Sequence, residues 1–401
     1  MDGGRRRRYG VLVTVRYCRR HCWRARAPHI GYFSLMRLSH VFPGGLAVLL
    51  SVSACVPSSS TPDALPSAPA AARWPVKVQP HVDLWLHGFG MITTDTLPVP
   101  LFRRGYRDSM TVIKNRANAY TTLDANRPEL SARLGTTPAL VNAQFLVFSF
   151  PDWESLSRAI DVFLKADGDP QRVADQESAA LIGFFRAQFP TVADRQWLRR
   201  FHDGLVDERT SFYQTFWTGV LRERNSVLVA VTALWDQQYR DRFARFLGST
   251  QQRSGEMILS LPLGPEGRAA GGREGQTLVA VPFPGRVEDA REAVLVFAHE
   301  VVGSTAGSAV NDNTTPAEKR SGASDRYVAF AQVHGGAVLL ENIAPELVAP
   351  YVRYYLAQGG HRIGTLDTKA QRTAALAAAY PLPKALLTGM TRQIEIALGG
   401  I

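Results

Sequence analysis

Two histidines and two glutamates in the C-terminal half of the chain have side chains and spacings that suit a metal-binding or catalytic site. His299 and Glu300 are adjacent within the apolar run 294–304, and His334 and Glu341 lie seven residues apart. Imidazole nitrogens and carboxylate oxygens can ligate a metal ion or transfer a proton. A histidine on an apolar helix is also often a core residue that is hydrogen-bonded to a neighbour, so both interpretations stay open.

The surrounding sequence predicts two helices that would position these four residues. One is expected at about 287–310 and carries His299 and Glu300, and the other at about 324–343 carries His334 and Glu341. Residues seven apart are two helical turns apart and share a face. Four glycines would allow the two backbones to approach each other closely: Gly303, Gly307, Gly335 and Gly336. We therefore expect His334 to lie near His299.

The segment 255–345 resembles the zincin metallopeptidases of the gluzincin type, in which strands precede a buried helix that carries His-Glu-x-x-His. The resemblance implies that two histidines one turn apart bind zinc and that the glutamate activates a water molecule. His299 and Glu300 match the first two positions of this motif, whereas Gly303 stands where the second histidine belongs. A zinc site therefore needs a ligand from elsewhere in the chain.

We hypothesise that the second helix supplies that ligand. The expected zinc ligands are His299, His334 and Glu341. Glu300 would be the general base for attack of metal-bound water on a peptide carbonyl, and Asp325 would be a substitute carboxylate if the helix register differs. The strand 277–281 could then pair with an extended peptide substrate. The alternative, which Gly303 favours, is a non-enzymatic envelope lipoprotein that binds a protein or cell-wall partner.

The first 54 residues resemble a bacterial export signal that ends in a lipobox. The apolar run 46–50 precedes Val52-Ser53-Ala54-Cys55, so we expect cleavage before Cys55 and lipid attachment to its thiol. Met36 is an alternative start, which would leave 1–35 untranslated. Because Val56 rather than aspartate follows Cys55, a resemblance to known sorting rules favours the outer membrane in a cell with two membranes. We expect the lipid to be the only anchor, since no other run reaches about 18 to 20 apolar residues.

Removal of the signal segment changes the charge and cysteine content of the chain. The first 54 residues contain ten arginines and one aspartate, so their loss lowers the formal net charge from +11 to +2. A protein with this balance lacks the basic surface that nucleic-acid binding requires. Cys18 and Cys22, the other two cysteines, would be lost as well, so no disulfide is expected.

The mature chain is predicted to be mainly α-helical with a small β-hairpin or sheet, an α+β class. A Pro/Ser/Ala-rich tether covers 55–75, a helical region covers 76–250, and the zincin-like region covers 251–401. Helices are expected at about 177–188, 193–205, 208–223 and 226–247, and Thr137 and Asp152 are expected to cap others. The runs 257–261 and 277–281 predict a β-hairpin, joined by a long, mobile, glycine-rich loop at 264–275.

Several other polar residues have an interpretation that needs no function. Thr315, Pro316 and Glu318 predict a capping box at a helix start. The segment 311–313 offers oxygens to calcium but lacks the spacing of a calcium loop. His81 and His87 are expected on one helix without sharing a face. The chain also lacks a Gly-x-Ser-x-Gly elbow, and its mature part has no thiol nucleophile.

Overall fold

The computed structural model describes residues 74–93, 99–272 and 275–399. The predicted signal segment 1–54, the lipidation residue Cys55 and nearly all of the tether 55–75 lie outside the described residues. The described part is mainly helical and contains one small mixed sheet of four strands, which confirms the predicted fold class.

Sixteen α-helices lie in the described ranges. Their bounds are α1 Pro80–Ile92, α2 Tyr106–Arg116, α3 Thr122–Thr136, α4 Trp153–Lys165, α5 Gln176–Gln188, α6 Val192–Glu208, α7 Gln214–Glu223, α8 Asn225–Leu234, α9 Arg240–Ser249, α10 Arg291–Val301, α11 Gly303–Asn313, α12 Pro316–Ser321, α13 Ala323–Ile343, α14 Val348–Gln358, α15 Lys369–Ala379 and α16 Lys384–Ala397. Short 3-10 helices cover Pro138–Ser149, Pro170–Arg172, Val287–Asp289 and Pro345–Leu347, and π-helical turns cover Arg209–Tyr213 and Trp235–Tyr239.

Local sequence signals account for several of these helix starts. Asp152 accepts a hydrogen bond of 2.7 Å from the backbone N–H of Ser155 at the start of α4. Thr315 and Glu318 form the predicted capping box of α12. Thr137, in contrast, precedes a 3-10 helix and makes no side-chain cap. The caps made by Asp152 and Thr315 satisfy N–H groups that have no partner inside the helix.

The sheet contains strands β1 Val76–Val78, β2 Gly255–Ser260, β3 Arg268–Gly271 and β4 Thr277–Pro282, in the order β1-β2-β4-β3. Strands β2 and β4 are parallel, so the prediction that they form an antiparallel hairpin is wrong. The hairpin is instead made by β3 and β4, because the glycine-rich segment itself contributes a strand. Since β4 pairs on both sides, the prediction that it would pair with a substrate strand is also wrong.

The sheet lies between two clusters of buried apolar side chains, as strand alternation requires. The first apolar cluster comes mainly from α1–α7 and includes Ile258 and Ala280 on one face of the sheet. The second apolar cluster comes mainly from α8–α16 and includes Met257 and Val279 on the other face. Strand β1, from the predicted helical region 76–250, pairs with β2 from the predicted region 251–401. The two predicted regions therefore share one sheet.

Helix α1 is buried along almost its whole length, since every residue from His81 to Ile92 is buried. A helix that is apolar or hydrogen-bonded all round is typical of a protein core. Its close packing depends on Gly88, where an added Cβ would lie 2.7 Å from the Leu205 side chain. The polar groups of α1 must therefore find partners inside the protein.

The helical segment Val287–Asn313 is long and apolar enough to cross a membrane, which the sequence analysis did not anticipate. However, 78% of its apolar window is buried inside the protein, as expected for a core helix. The segment is broken at Val302, where α10 ends and α11 begins. The break directly follows the residues that match the zincin motif.

Candidate functional site

Helix α10 places His299 in its last turn, inside the protein. The side chain is fully buried, and its ring stacks on the ring of Tyr355 with centroids 5.0 Å apart. Within the described residues, neither ring nitrogen has a hydrogen-bond partner. Burial, followed by the charge of Arg268, lowers the pKa of His299 to about 3. The imidazole is therefore neutral at physiological pH.

Glu300 points toward edge strand β3. Burial raises its pKa well above 4.5 against the opposing effects of Arg268 and a hydrogen bond from the backbone N–H of Ala269, which favours the protonated form of the carboxyl group. Its Oε1 atom lies 3.6 Å from His299 Nε2 and has no hydrogen-bond partner in the described part of the chain.

The strand passes close to Glu300 because of Gly267. That glycine has a φ of +61°, and an added Cβ would lie 2.8 Å from Glu300 Cγ. The segment predicted as one long mobile loop is thus packed on α10 at this point.

The other predicted ligands are engaged elsewhere. His334 is buried, and its Nε2 atom lies 2.8 Å from the carbonyl oxygen of Tyr380. Glu341 forms an ion pair of 2.9 Å with Lys369. Asp325 is exposed near the start of α13. No three His, Cys, Asp or Glu residues in the described ranges form a group that could hold a metal ion.

The four glycines that were expected to allow close approach of the two helices have different neighbours in the structure. A Cβ on Gly335 would lie 3.2 Å from the Val302 side chain, which is consistent with close packing of α13 on the break after α10. A Cβ on Gly303 would lie 3.0 Å from Nε2 of Gln332, so the Gln332 amide borders the position of the missing motif histidine. Gly336 makes room for Tyr351, and Gly307 has open space around it.

This arrangement does not fit a catalytic zinc site. Such a site needs three protein ligands around a position that water can reach. Here one neutral imidazole and one carboxyl group whose pKa is raised are buried together, while His334 and Glu341 have other partners. Zinc binding by these residues stays a prediction, which metal analysis can test.

A second polar cluster, which the sequence analysis missed, lies in the first apolar cluster. His87 on α1 places Nδ1 at 2.9 Å from the Tyr106 hydroxyl and Nε2 at 3.0 Å from Glu208 Oε1. Glu208 also accepts hydrogen bonds from Lys114, at 2.5 Å, and from Thr121. Although burial opposes ionisation, the hydrogen bond from His87 and the charge of Lys114 lower the pKa of Glu208 to about 2. Glu208 is therefore a buried carboxylate with a buried cationic partner.

A π-helical turn brings two residues onto His87. Arg209–Tyr213 winds with more residues per turn than an α-helix, so residues five apart lie nearly one above the other. Glu208 and Tyr213 therefore both face α1. Glu208 bonds to His87, and the Tyr213 ring lies over the imidazole with centroids 4.4 Å apart.

Asp83 lies one turn before His87 on the same face of α1. It accepts hydrogen bonds from the indole N–H of Trp217, at 2.9 Å, and from the backbone N–H of Leu261, at 3.1 Å. Burial raises the pKa of Asp83 to about 6, while the hydrogen bonds from Trp217 and Leu261 oppose the rise. The i, i+4 spacing of Asp83 and His87 on an apolar helix was the sequence signal that could have revealed this cluster. The pairing of His81 with His87 was less informative, since His81 bonds to the carbonyl of Phe150.

One serine and one histidine are also paired. Ser157 Oγ lies 2.8 Å from His202 Nε2, and His202 Nδ1 lies 3.8 Å from an Asp203 oxygen. The second distance is too long for the hydrogen bond that orients a catalytic base. The Ser157 bond satisfies a buried histidine that stacks on Trp153. This pair has an adequate structural role.

Comparison of the chain with protein-family models, with curated proteins and with solved structures finds no match.

Proposed function

We propose that the protein is an exported, lipid-anchored envelope protein whose zincin-like scaffold is inactive and acts by binding a protein or cell-wall partner. The observation that carries this proposal is the burial of His299 and Glu300 without a third ligand among the residues that the structure describes. A hydrolytic zinc needs more donors than one imidazole and one buried carboxyl group. The proposal therefore takes the alternative that Gly303 favours.

The state of Glu300 supports the absence of hydrolysis independently of any metal. A general base must be ionised near the working pH in order to accept a proton from water. Burial raises the pKa of Glu300 well above its ordinary value, which disfavours the ionised form that a general base needs. Its contact with Gly267 and its hydrogen bond from Ala269 give it a structural role between α10 and β3.

Peptidase activity is the direct test of the inactive scaffold. The purified protein is incubated with casein and with a peptide library, with and without added zinc, beside a Glu300→Gln variant. We expect no cleavage by either protein. Zinc-dependent cleavage that Glu300→Gln abolishes would contradict the proposal.

The lipid anchor rests on the sequence around Cys55. In cells given an alkyne-labelled palmitate, the wild-type chain should acquire the label and should sediment with membranes. Cys55→Ser should lose both properties, whereas Cys22→Ser is the matched control and should keep them. Labelling that survives Cys55→Ser would contradict the anchor. A cell-wall partner is tested separately by co-sedimentation of the unlipidated protein with purified cell wall.

A zinc metallopeptidase is the second candidate function, and one observation favours it. Both ring nitrogens of His299 and the Oε1 atom of Glu300 are buried without a partner in the described chain. Unpaired buried polar atoms are rare and call for an explanation, such as a bound ion or water. A ligand that binds only the folded state raises the unfolding temperature, so a thermal shift with zinc that His299→Ala removes would favour this candidate.

A further inference from the structure

Asp83 joins three parts of the fold through one buried carboxyl group. The residue is 1% exposed on α1, and its two oxygens accept from Trp217 of α7 and from Leu261 directly after β2. Trp217 is packed against both apolar clusters. The carboxyl group therefore lies where the helices α1 and α7 meet the end of the sheet.

The arginines around Asp83 do not neutralise it by direct contact. Arg103 donates to the backbone carbonyls of Leu261, at 2.9 Å, and of Phe283. Arg224 donates to the same Phe283 carbonyl at 2.8 Å. Among the described residues, the groups that donate hydrogen bonds to Asp83 are thus an indole N–H and a backbone amide, both of them neutral.

A buried carboxyl group without a bonded cation ionises less readily than one in water. The other ionisable groups that face Asp83 are Arg103, Arg224, Tyr106 and Tyr213. Burial raises the pKa values of Tyr106 and Tyr213 well above 10, so both phenols stay neutral. The two arginines stay charged near neutral pH. Asp83 is therefore the group in this set whose charge changes in mildly acidic solution.

We propose that Asp83 is a pH-sensitive connection between helices α1 and α7 and the end of strand β2. The ionised carboxylate holds the Trp217 indole and the Leu261 amide, and these bonds weaken when the carboxylate takes up a proton. This inference does not depend on the proposed binding function.

If the hydrogen bond to Leu261 weakens, the effect should reach the segment that follows Leu261 in the chain. The segment that begins there forms an isolated bridge between Leu263 and Phe102 and continues to Gly267, which contacts Glu300. Acidification should therefore alter the packing of Gly267 on Glu300, beside His299, as well as the environment of Trp217.

The test is ¹⁹F NMR of the purified protein labelled with 5-fluorotryptophan. The chain has seven tryptophans, and the Trp217 signal is identified by its loss in Trp217→Phe. The ionised fraction of Asp83 should fall about tenfold between pH 7 and pH 5. The Trp217 signal should move with a midpoint near pH 6, and this movement should vanish in Asp83→Asn. Asp241→Asn is the control, because it removes a carboxylate whose side chain is 93% exposed. The Trp217 signal should move with pH in this variant as it does in the wild type.

Two results would overturn the inference. One is a Trp217 signal that stays fixed between pH 5 and pH 7 in the wild type, and the other is a movement that persists in Asp83→Asn. If Asp83→Asn does not fold, the ¹³C shift of the Asp83 carboxyl carbon in the wild type decides the question. A midpoint near pH 4, the ordinary value for aspartate, would then contradict the inference.

Discussion

Glu208→Gln should destabilise the protein strongly, because it removes the charge at the centre of a buried polar cluster. Glu208 is 0% exposed and holds His87, Lys114 and Thr121 together. Glutamine keeps the shape of the side chain but leaves the Lys114 ammonium with Asp124 as its remaining carboxylate partner, at 2.6 Å. A buried cation that loses one partner carries an uncompensated desolvation cost.

The magnitude follows from the pKa of Glu208. That pKa is about 2 in the folded protein against an ordinary 4.5. At about 1.4 kcal/mol for each pH unit, the difference of about 2.5 pH units means that ionised Glu208 stabilises the folded state by about 3.5 kcal/mol. Because the folded-state pKa is lowered, this contribution is complete above pH 4.5 and is lost as the pH falls toward 2. Removal of one partner of a buried pair costs about 3–5 kcal/mol, which agrees with the first figure.

Urea unfolding followed by circular dichroism measures this effect. At pH 7 the free energy of unfolding of Glu208→Gln should be about 3.5 kcal/mol lower than that of the wild type. At pH 4 the difference should be smaller by about 1 kcal/mol, because the wild type has then lost part of the stabilisation that ionised Glu208 provides. Glu223→Gln is the matched control, since Glu223 is exposed at the end of the adjoining helix α7. It should change the free energy by less than about 0.5 kcal/mol.

The reasoning fails if Glu208→Gln and Glu223→Gln have the same stability at pH 7. It also fails if the difference between Glu208→Gln and the wild type grows, rather than shrinks, as the pH is lowered. Either result would mean that water solvates the cluster in the folded protein.

Two further predictions concern the second apolar cluster, and urea unfolding tests both. His299→Phe should leave the protein as stable as the wild type or more stable by about 1–2 kcal/mol, because a phenyl ring keeps the stacking on Tyr355 and removes two unpaired nitrogens. A loss of more than about 2 kcal/mol would indicate that the imidazole has a partner. Gly336→Ala should cost about 1–3 kcal/mol, since its Cβ would lie 2.7 Å from Cζ of Tyr351. Gly307→Ala, in open space within α11, should instead gain up to about 1 kcal/mol, and equal effects at the two glycines would contradict the packing.

Helices and caps could be predicted because their signals are local. The expected helix 324–343 matches α13 at Ala323–Ile343, since apolar periodicity and helix-stop residues lie within the segment itself. The Thr315–Glu318 capping box is a pattern of four consecutive residues. Both strands 257–261 and 277–281 also exist as β2 and β4. Their pairing could not be predicted, because apolar runs define strands without fixing the direction of the partner.

The candidate site was less predictable because its contacts are distant in sequence. The expectation that His334 lies near His299 rested on helix faces, whereas the actual partner of His334 is the carbonyl of Tyr380, 46 residues away. His87 and Glu208 are 121 residues apart, so no local pattern connects them. The zincin resemblance pointed to His299 and Glu300, which the structure places in the core, but burial and partners decide whether such residues do chemistry.

The most direct test of the inactive scaffold is the zinc content of the purified, zinc-exposed protein after gel filtration. Wild type and His299→Ala are analysed side by side by inductively coupled plasma mass spectrometry. The burial of His299 beside Glu300, whose pKa burial raises, predicts only trace zinc, with no difference between the two proteins. One zinc ion per wild-type chain, lost in His299→Ala, would contradict the proposed inactive scaffold.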